Sequence, residues 1–336
     1  MSSSVDRFCW QYLQLDSNLD FPDGACLRDA KTQELLYSRL FAEDKAVRLP
    51  PPRYQLRVLK EVLKRVESSI EDWDEHGISD NLTTSLAHLL SLPLLPEAAA
   101  AQQKCYVTYH LSLLEKDGAP DPHITLLESR SLIAASGTTG LRTWEAALHL
   151  GQYLCVNPDL VKHQNVLELG AGTGYLGILC AKYLEAESVI VSDGSDEVIN
   201  NLPESFYLND LQGTDKVTPM DLKWGHALVG TEDAVWNRGR QVNTVLGADI
   251  TYDASVIPAL VATLEELVAL FPKVRVVIAA TERNEATFRS FLDVCAKRGF
   301  AVTTADFAVP SRKEQTGPFY NDQSPIHICE LRYLQS

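Results

Sequence analysis

Between Val166 and Ile178 the chain reads Val-Leu-Glu-Leu-Gly-Ala-Gly-Thr-Gly-Tyr-Leu-Gly-Ile. One carboxylate, Glu168, sits inside a short apolar run, and Gly170, Gly172, Gly174 and Gly177 follow it. Glycine serves where backbone turns sharply or approaches a ligand with no Cβ in the way. A glycine turn between a strand and a helix N-terminus is the usual site for a nucleotide moiety in an open α/β sheet. The next apolar run ends in an acid, Asp193, about twenty residues on, where a carboxylate can accept hydrogen bonds from both ribose hydroxyls. Asp196 stands three residues later, so either acid is open to that role. A later apolar run closes on Asp249-Ile-Thr-Tyr252, a carboxylate and a phenol at one strand end.

The loop discriminates between nucleotides. No lysine follows the glycines in a phosphate-binding pattern, which disfavours a triphosphate. A dinucleotide fingerprint would want glycines at 170, 172 and 175, but position 175 is tyrosine. Glu168 has no particular use beside a diphosphate. It can anchor the glycine turn by accepting backbone N–H bonds, or take part through water in holding a cationic cofactor. The ligand this loop suits best carries adenosine and no phosphates, a description that S-adenosylmethionine meets. An NAD-dependent oxidoreductase on the same loop is the competing enzyme class, and a binding module with a vestigial cofactor site is the non-enzymatic one.

The elements that must position these residues alternate. Apolar runs predict strands at Val166–Leu169, Ser188–Ser192, Val217–Leu222, Thr244–Ala248, Val274–Ala280, Ala301–Phe307 and His327–Tyr333. Helical patterns fall between most of them, at Tyr175–Tyr183, Glu197–Leu208, Val256–Leu270 and Glu285–Arg298, with Gly299 as a C-terminal cap. The last two strands are joined only by a polar loop from Pro310 to Pro325, which predicts an antiparallel final strand. The expected fold is therefore α/β, a doubly wound seven-stranded sheet of Rossmann-like type whose last strand is antiparallel. Before it, Ala134 to Leu148 reads as a glycine-bearing loop and a helix, with Thr143 as the N-cap and Trp144 on the packed face. A short strand is expected at Ile124–Leu127.

The N-terminal third is expected to be all-helical, with no chemistry of its own. Helices are predicted from Phe8, over Gln33–Phe41, after Pro50-Pro51-Pro52, and over Leu82–Leu90, and Pro93–Ala101 reads as a connection. The helix after the prolines is expected to bury Val58, Leu59, Val62, Leu63, Val66 and Ile70 on one face and to turn Arg57, Lys60, Lys64 and Arg65 to the others. The expected domains are residues 1–104, helical and accessory, and residues 105–336, which bind S-adenosylmethionine.

Composition narrows the partners. The formal charge is −15 over 336 residues, which disfavours direct nucleic-acid binding. Seven scattered cysteines fit neither a metal knuckle nor a disulfide framework, so no metal is expected. No apolar run reaches the roughly 20 residues of a membrane span, and Met1-Ser-Ser-Ser-Val-Asp lacks the features of a signal peptide. A cytoplasmic protein without membrane contact, and a monomer, is expected.

Several stretches carry a more specific resemblance. Glu168-Leu-Gly-Ala-Gly-Thr-Gly is similar to the cofactor loop of the seven-strand (class I) methyltransferases. Asp249-Ile-Thr-Tyr252, Lys223-Trp224-Gly225 and Thr143-Trp144-Glu145 resemble the protein-lysine methyltransferases of methyltransferase family 16. Three more stretches look like the branch that methylates a lysine of translation elongation factor 2: Ser136-Gly-Thr-Thr-Gly-Leu-Arg-Thr-Trp-Glu-Ala-Ala-Leu-His-Leu, Phe8-Cys-Trp, and Pro51-Pro-Arg-Tyr-Gln-Leu-Arg-Val-Leu-Lys. The resemblance implies that Gly170, Ala171 and Gly172 line the methionine and ribose parts of the cofactor, and that Asp193 holds the ribose. It implies that Trp224 and Ala248 flank the adenine, that Trp144 closes the pocket, and that Asp249 and Tyr252 stand where the methyl meets the lysine. With Glu168 these are the candidate site residues. The implied activity is methyl transfer from S-adenosylmethionine to a lysine of elongation factor 2. Another protein or a small molecule is the alternative acceptor.

Overall fold

The structure, a computed structural model, describes residues 4–42, 48–93, 96, 103–129, 139–226, 228, 237 and 239–334. The chain groups into two compact units. One comprises Met1–Ser112, Pro120–Ser131 and Thr316–Phe319, and the other Leu113–Ala119, Leu132–Gln315 and Tyr320–Ser336.

The first unit begins with α1 (Ser4–Leu13), α2 (Gly24–Arg28), α3 (Ala30–Leu40), α4 (Pro52–Ser69) and α5 (Asp80–Ser91). Side chains cap three of these helices, because the first backbone N–H groups of a helix have no intrahelical partner. Asp23 accepts from Cys26 N, Asp29 from Thr32 N and Ser79 from Leu82 N. Pro52 is the first residue of α4, where its missing N–H costs nothing. Val58, Leu59, Val62, Leu63 and Val66 of α4 are buried and Arg57, Lys60, Lys64 and Arg65 are exposed, as the periodicity predicts, while Ile70 is half-buried just past the helix end. Most of the expected connection over Pro93–Ala101 lies outside the described residues.

A hairpin of β1 (Cys105–His110) and β2 (His123–Glu128) completes this unit. Only the core of β2 is expected from sequence. The two units therefore interleave along the chain, whereas the sequence reading divides it once, between 104 and 105. The physical reason is visible at Trp10, whose indole stacks on His110 of β1 with ring centroids 3.6 Å apart. Strand β1 thus contributes to the core of the helices that precede it.

The second unit is built on a seven-stranded sheet of order β5-β4-β3-β6-β7-β9-β8. Its strands are β3 (Asn165–Leu169), β4 (Ser188–Asp193), β5 (Val217–Asp221), β6 (Thr244–Ala248), β7 (Arg275–Thr281), β8 (Phe300–Thr304) and β9 (Ile326–Tyr333). All pairings among β3 to β7 are parallel, and β9 runs antiparallel to both β7 and β8. Helices α6 (Glu145–Val156), α7 (Tyr175–Lys182), α8 (Asp196–Leu208), α9 (Ile257–Leu270) and α10 (Glu285–Lys297) accompany the sheet. Gly299 follows α10 with φ +83°, the left-handed conformation expected of a C-terminal cap.

The chain winds from β3 outward to β5 and then returns to β6 on the other side of β3. The carboxyl ends of β3 and β6 consequently flank the point where strand order reverses, which is where open α/β sheets bind ligands. Strand β3 is buried from Val166 to Leu169, which explains its uninterrupted apolar run and makes Glu168 the exception there.

Helix α7 lies close against β4 because position 177 has no side chain. A Cβ there would stand 2.5 Å from Val191 Cγ2 and 2.8 Å from Glu168 Oε2. Gly177→Ala should therefore destabilise the protein by about 1–3 kcal/mol, the usual cost of an extra carbon in a close-packed core. Chemical denaturation measures this, and an unchanged midpoint would refute the packing argument.

Candidate active site

A cavity of about 360 Å³ opens at the switch point, within the range of small-molecule sites. All ten candidate residues line it: Trp144, Glu168, Gly170, Ala171, Gly172, Asp193, Trp224, Ala248, Asp249 and Tyr252. They come from the ends of β3, β4 and β6, from the segment after β5 and from the start of α6, so sheet topology assembles residues more than 100 positions apart.

The glycine turn forms one wall. Gly170 and Gly172 have φ of +61° and +55°, and Gly174, the N-cap of α7, has +82°. A Cβ on Gly170 would lie 2.6 Å from Ile250 and 3.2 Å from the Trp224 ring, and one on Gly172 would lie 3.0 Å from the Gly140 carbonyl. Both the conformation and the space require glycine. Tyr175, which departs from the dinucleotide fingerprint, is fully buried, and its ring packs on Gly151 of α6.

The two acids of the glycine turn are held differently. Asp193 accepts from Gly172 N at 3.1 Å and Ser195 N at 3.0 Å, so the strand end and the turn share one carboxylate. Burial raises its proton affinity, against the backbone N–H groups that stabilise the ionised form. Asp193 lines the cavity, whereas Asp196 starts α8 with a largely exposed side chain within 4.0 Å of Lys223. Glu168 accepts from Gly177 N at 2.9 Å and so anchors the turn to α7. Burial pushes its carboxyl up to about 8; the Gly177 bond opposes this and the charge of Asp193 adds to it.

Asp249 occupies a third position. It follows β6 with φ +52°, a left-handed conformation that aspartate tolerates better than most residues. Its side chain is nearly buried and receives five donors. Oδ1 accepts from Thr281 N at 3.0 Å and Arg283 Nη1 at 3.2 Å. Oδ2 accepts from Thr281 Oγ1 and Arg283 Nη2, both at 3.1 Å, and from Ala146 N at 3.4 Å. Arg283 also reaches Glu145 at 2.7 Å and lies over the Trp144 ring, 5.1 Å from its centroid. Arg142 lies over the same ring at 5.0 Å. Trp144 donates from Nε1 to the Thr139 carbonyl at 2.9 Å. The indole is thus fixed by two guanidinium groups and one hydrogen bond.

Two features were not legible in the sequence. Thr281 and Arg283 carried no motif, since their partner Asp249 lies more than thirty residues away. Thr143 is not the cap of α6; Trp144 takes that position, and the Thr143 hydroxyl pairs with Thr173 Oγ1 at 2.7 Å. The expected loop at 134–138 lies outside the described residues. Among the described residues no cluster of His, Cys, Asp and Glu could hold a metal ion.

Sequence comparison identifies the family. A lysine methyltransferase family profile matches residues 130–297, which include the glycine turn and Asp249. The chain is 65% identical over 326 residues to the protein-lysine N-methyltransferase EFM3 of Chaetomium thermophilum, covering 97% of both chains. It is 30% identical over 313 residues to the human protein-lysine N-methyltransferase EEF2KMT, covering 88% of this chain and 84% of that one. The chain belongs to the lysine methyltransferase family. As a lysine methyltransferase it takes its methyl group from S-adenosylmethionine, and the competing oxidoreductase reading falls away. The cavity fits that donor. Glu168 is buried and Asp193 half-buried, and the charge of Asp193 raises the cost of ionising Glu168, which an added sulfonium cation relieves and a diphosphate would worsen.

Glu168 makes stability pH-dependent in a defined direction. An unfolded carboxyl releases its proton near 4.5, whereas the folded one keeps it to about 8. The folded state is therefore unpenalised below pH 4.5 and loses stability as pH rises toward 8. Glu168→Gln keeps the acceptor for Gly177 N and removes the charge. Its melting temperature should match that of the natural protein near pH 5 and exceed it increasingly up to pH 8, by roughly 2–4 °C per kcal/mol. A difference that stays flat across this range would contradict the assignment.

Proposed function

We propose that this methyltransferase acts in the cytoplasm on a lysine side chain of translation elongation factor 2, with Asp249 and Tyr252 at the point of transfer. The observation that carries the substrate is the extent of the sequence match. Similarity to EFM3 and EEF2KMT runs through the helical N-terminal region as well as the part that holds the cofactor loop. A catalytic domain alone would account for the chemistry and would leave the N-terminal resemblance without a cause. Among the described residues no helix is long and apolar enough to cross a membrane, which agrees with a soluble protein substrate.

When bound, S-adenosylmethionine supplies an electrophilic methyl group on a sulfonium. Asp193 receives the ribose hydroxyls, Gly170 to Gly172 let the backbone approach, and Trp224 and Ala248 flank the adenine. Trp144 closes the cavity. The substrate lysine enters past Tyr252, which is 56% exposed and marks the mouth of the cavity. It must react as a neutral amine, although its free pKa is about 10.4. Positioning supplies much of the acceleration, because nitrogen, carbon and sulfur must be nearly collinear. Asp249 orients the amine and stabilises the positive charge that develops on nitrogen, and the proton leaves to water. The Tyr252 ring face receives the methylated cation.

Asp249→Ala should abolish methyl transfer and leave affinity for S-adenosylmethionine within a few-fold, measured by calorimetry. Near-normal turnover would remove Asp249 from the transfer step. Gly172→Arg should abolish cofactor binding itself, since even a Cβ there meets the Gly140 carbonyl. The acceptor is tested with labelled S-adenosylmethionine and an extract of cells lacking the enzyme. One labelled band at the size of elongation factor 2 supports the proposal, and label in RNA overturns it.

A further inference from the structure

A carboxylate beside a substrate lysine creates a difficulty. It favours the ammonium, the form that cannot attack a methyl group, and an opposite charge within about 4–6 Å moves such a titration by about 1–3 pH units. The structure contains a counterweight. The two oxygens of Asp249 already receive two N–H groups of Arg283, the Thr281 amide and hydroxyl, and the Ala146 amide. A carboxylate has about four lone-pair positions, so these five donors, of which Ala146 at 3.4 Å is the longest, take up its capacity. Ala146 lies in the first turn of α6, whose N-terminal dipole also offsets negative charge.

The charged groups around this point sum to zero. Arg283 faces Asp249 from the segment after β7 and Glu145 from α6, and Arg142 faces Glu145 at 3.8 Å. The neighbouring Glu282 is taken by His327 of β9 at 2.6 Å, and points to a different partner. Across the cavity stand Glu168 and Asp193, which belong to the cofactor side, and Lys223, which is held by Asp221 and Asp196.

We infer that Arg283 is a positioning residue that neutralises Asp249, so that the substrate amine meets an ion pair rather than a bare carboxylate and reaches its reactive neutral form at physiological pH. The Asp249–Arg283 pair then directs the amine and stabilises the charge developing on nitrogen more weakly than a bare carboxylate would, without trapping the ammonium. The inference rests on the proposed place of Asp249 beside the substrate lysine. It assigns a task to Arg283 that no cofactor contact explains, since Arg283 does not line the cavity.

The field at the transfer point can be read without a protein substrate. Sinefungin carries a protonated amine where the donor carries its methyl, and S-adenosylhomocysteine is neutral at that place. Calorimetry on the full-length protein compares the two ligands. In Arg283→Gln the preference for sinefungin over S-adenosylhomocysteine should rise about tenfold or more, because Asp249 is unmasked. Arg283→Lys should keep the natural ratio. Glu145→Gln, which leaves Arg283 with less to neutralise, should lower the ratio about two- to threefold, an opposite sign that general damage to the fold cannot produce. In steady-state assays on elongation factor 2, the acid limb of kcat should move up by about one pH unit in Arg283→Gln, with the high-pH plateau recovered to within a few-fold. An unchanged ligand ratio in Arg283→Gln, or a loss of kcat equal at every pH, overturns the inference. Normal turnover in Asp249→Ala would instead overturn the reading of the site on which it rests.

Discussion

A buried carboxylate must be satisfied on both oxygens or it destabilises the fold that contains it. Asp249 meets that demand by drawing donors from two segments: the end of β7 with the residues just after it, through Thr281 and Arg283, and the first turn of α6, through Ala146. Strand order places β6 and β7 side by side, with Ala248 opposite Ala279, so Thr281 is within reach as soon as the sheet forms. The start of α6 and the Arg283 side chain are then tied to the same point. Trp144, the residue before α6, inherits its place from that tie, because Arg283 lies over its ring. One acid thus couples the end of the sheet to the aromatic wall of the cavity. Removing a single partner would leave charge in a nearly closed environment, which is costlier than never placing it there.

The rest of the cavity follows a matching electrostatic logic. Beside the glycine turn, Glu168 is buried and Asp193 half-buried, and both accept from backbone N–H groups, so the local environment favours an incoming cation over an anion. On the opposite side, acids and guanidinium groups are balanced in number. On the proposed reading the positive sulfonium sits beside Glu168 and Asp193, and the amine approaches where the charges are balanced. The two halves meet at Ala248 and Asp249, consecutive residues on one strand end, so a shift of that strand would disturb both at once.

Much of this was legible in the sequence because it is local. Strand, glycine turn and helix are contiguous from Val166 to Lys182, and the antiparallel β9 follows from the lack of any helix between Thr304 and Ile326. Asp193 could be placed at a strand end and left in competition with Asp196; burial then separates them. What was not legible depends on register. Arg283 is an ordinary loop arginine until β6 and β7 are aligned, and no periodicity encodes that alignment. Strand β1 was missed for a similar reason. Its alternating burial over Cys105, Tyr106 and Val107 matches a half-buried strand, but Trp10, which stacks on His110 at its end, lies a hundred residues earlier. Trp144 shows the opposite error. Spacing alone assigned it to helix packing, whereas it precedes the helix and lines the cavity, a difference of one residue in where α6 begins.

The same balance of charge bears on what happens after transfer. A methylated lysine keeps its positive charge and becomes bulkier and less hydrated. A bare aspartate would hold that product at least as strongly as it held the substrate ammonium, and release would then limit turnover. With Arg283 already bound across Asp249, the outgoing cation competes for a carboxylate whose acceptor positions are taken. The exposed ring of Tyr252 offers only the weaker attraction of an aromatic face near solvent, of the order of 0.5–1 kcal/mol. On the proposed reading, then, the ion pair that lets the amine lose its proton before transfer is also what lets the product leave.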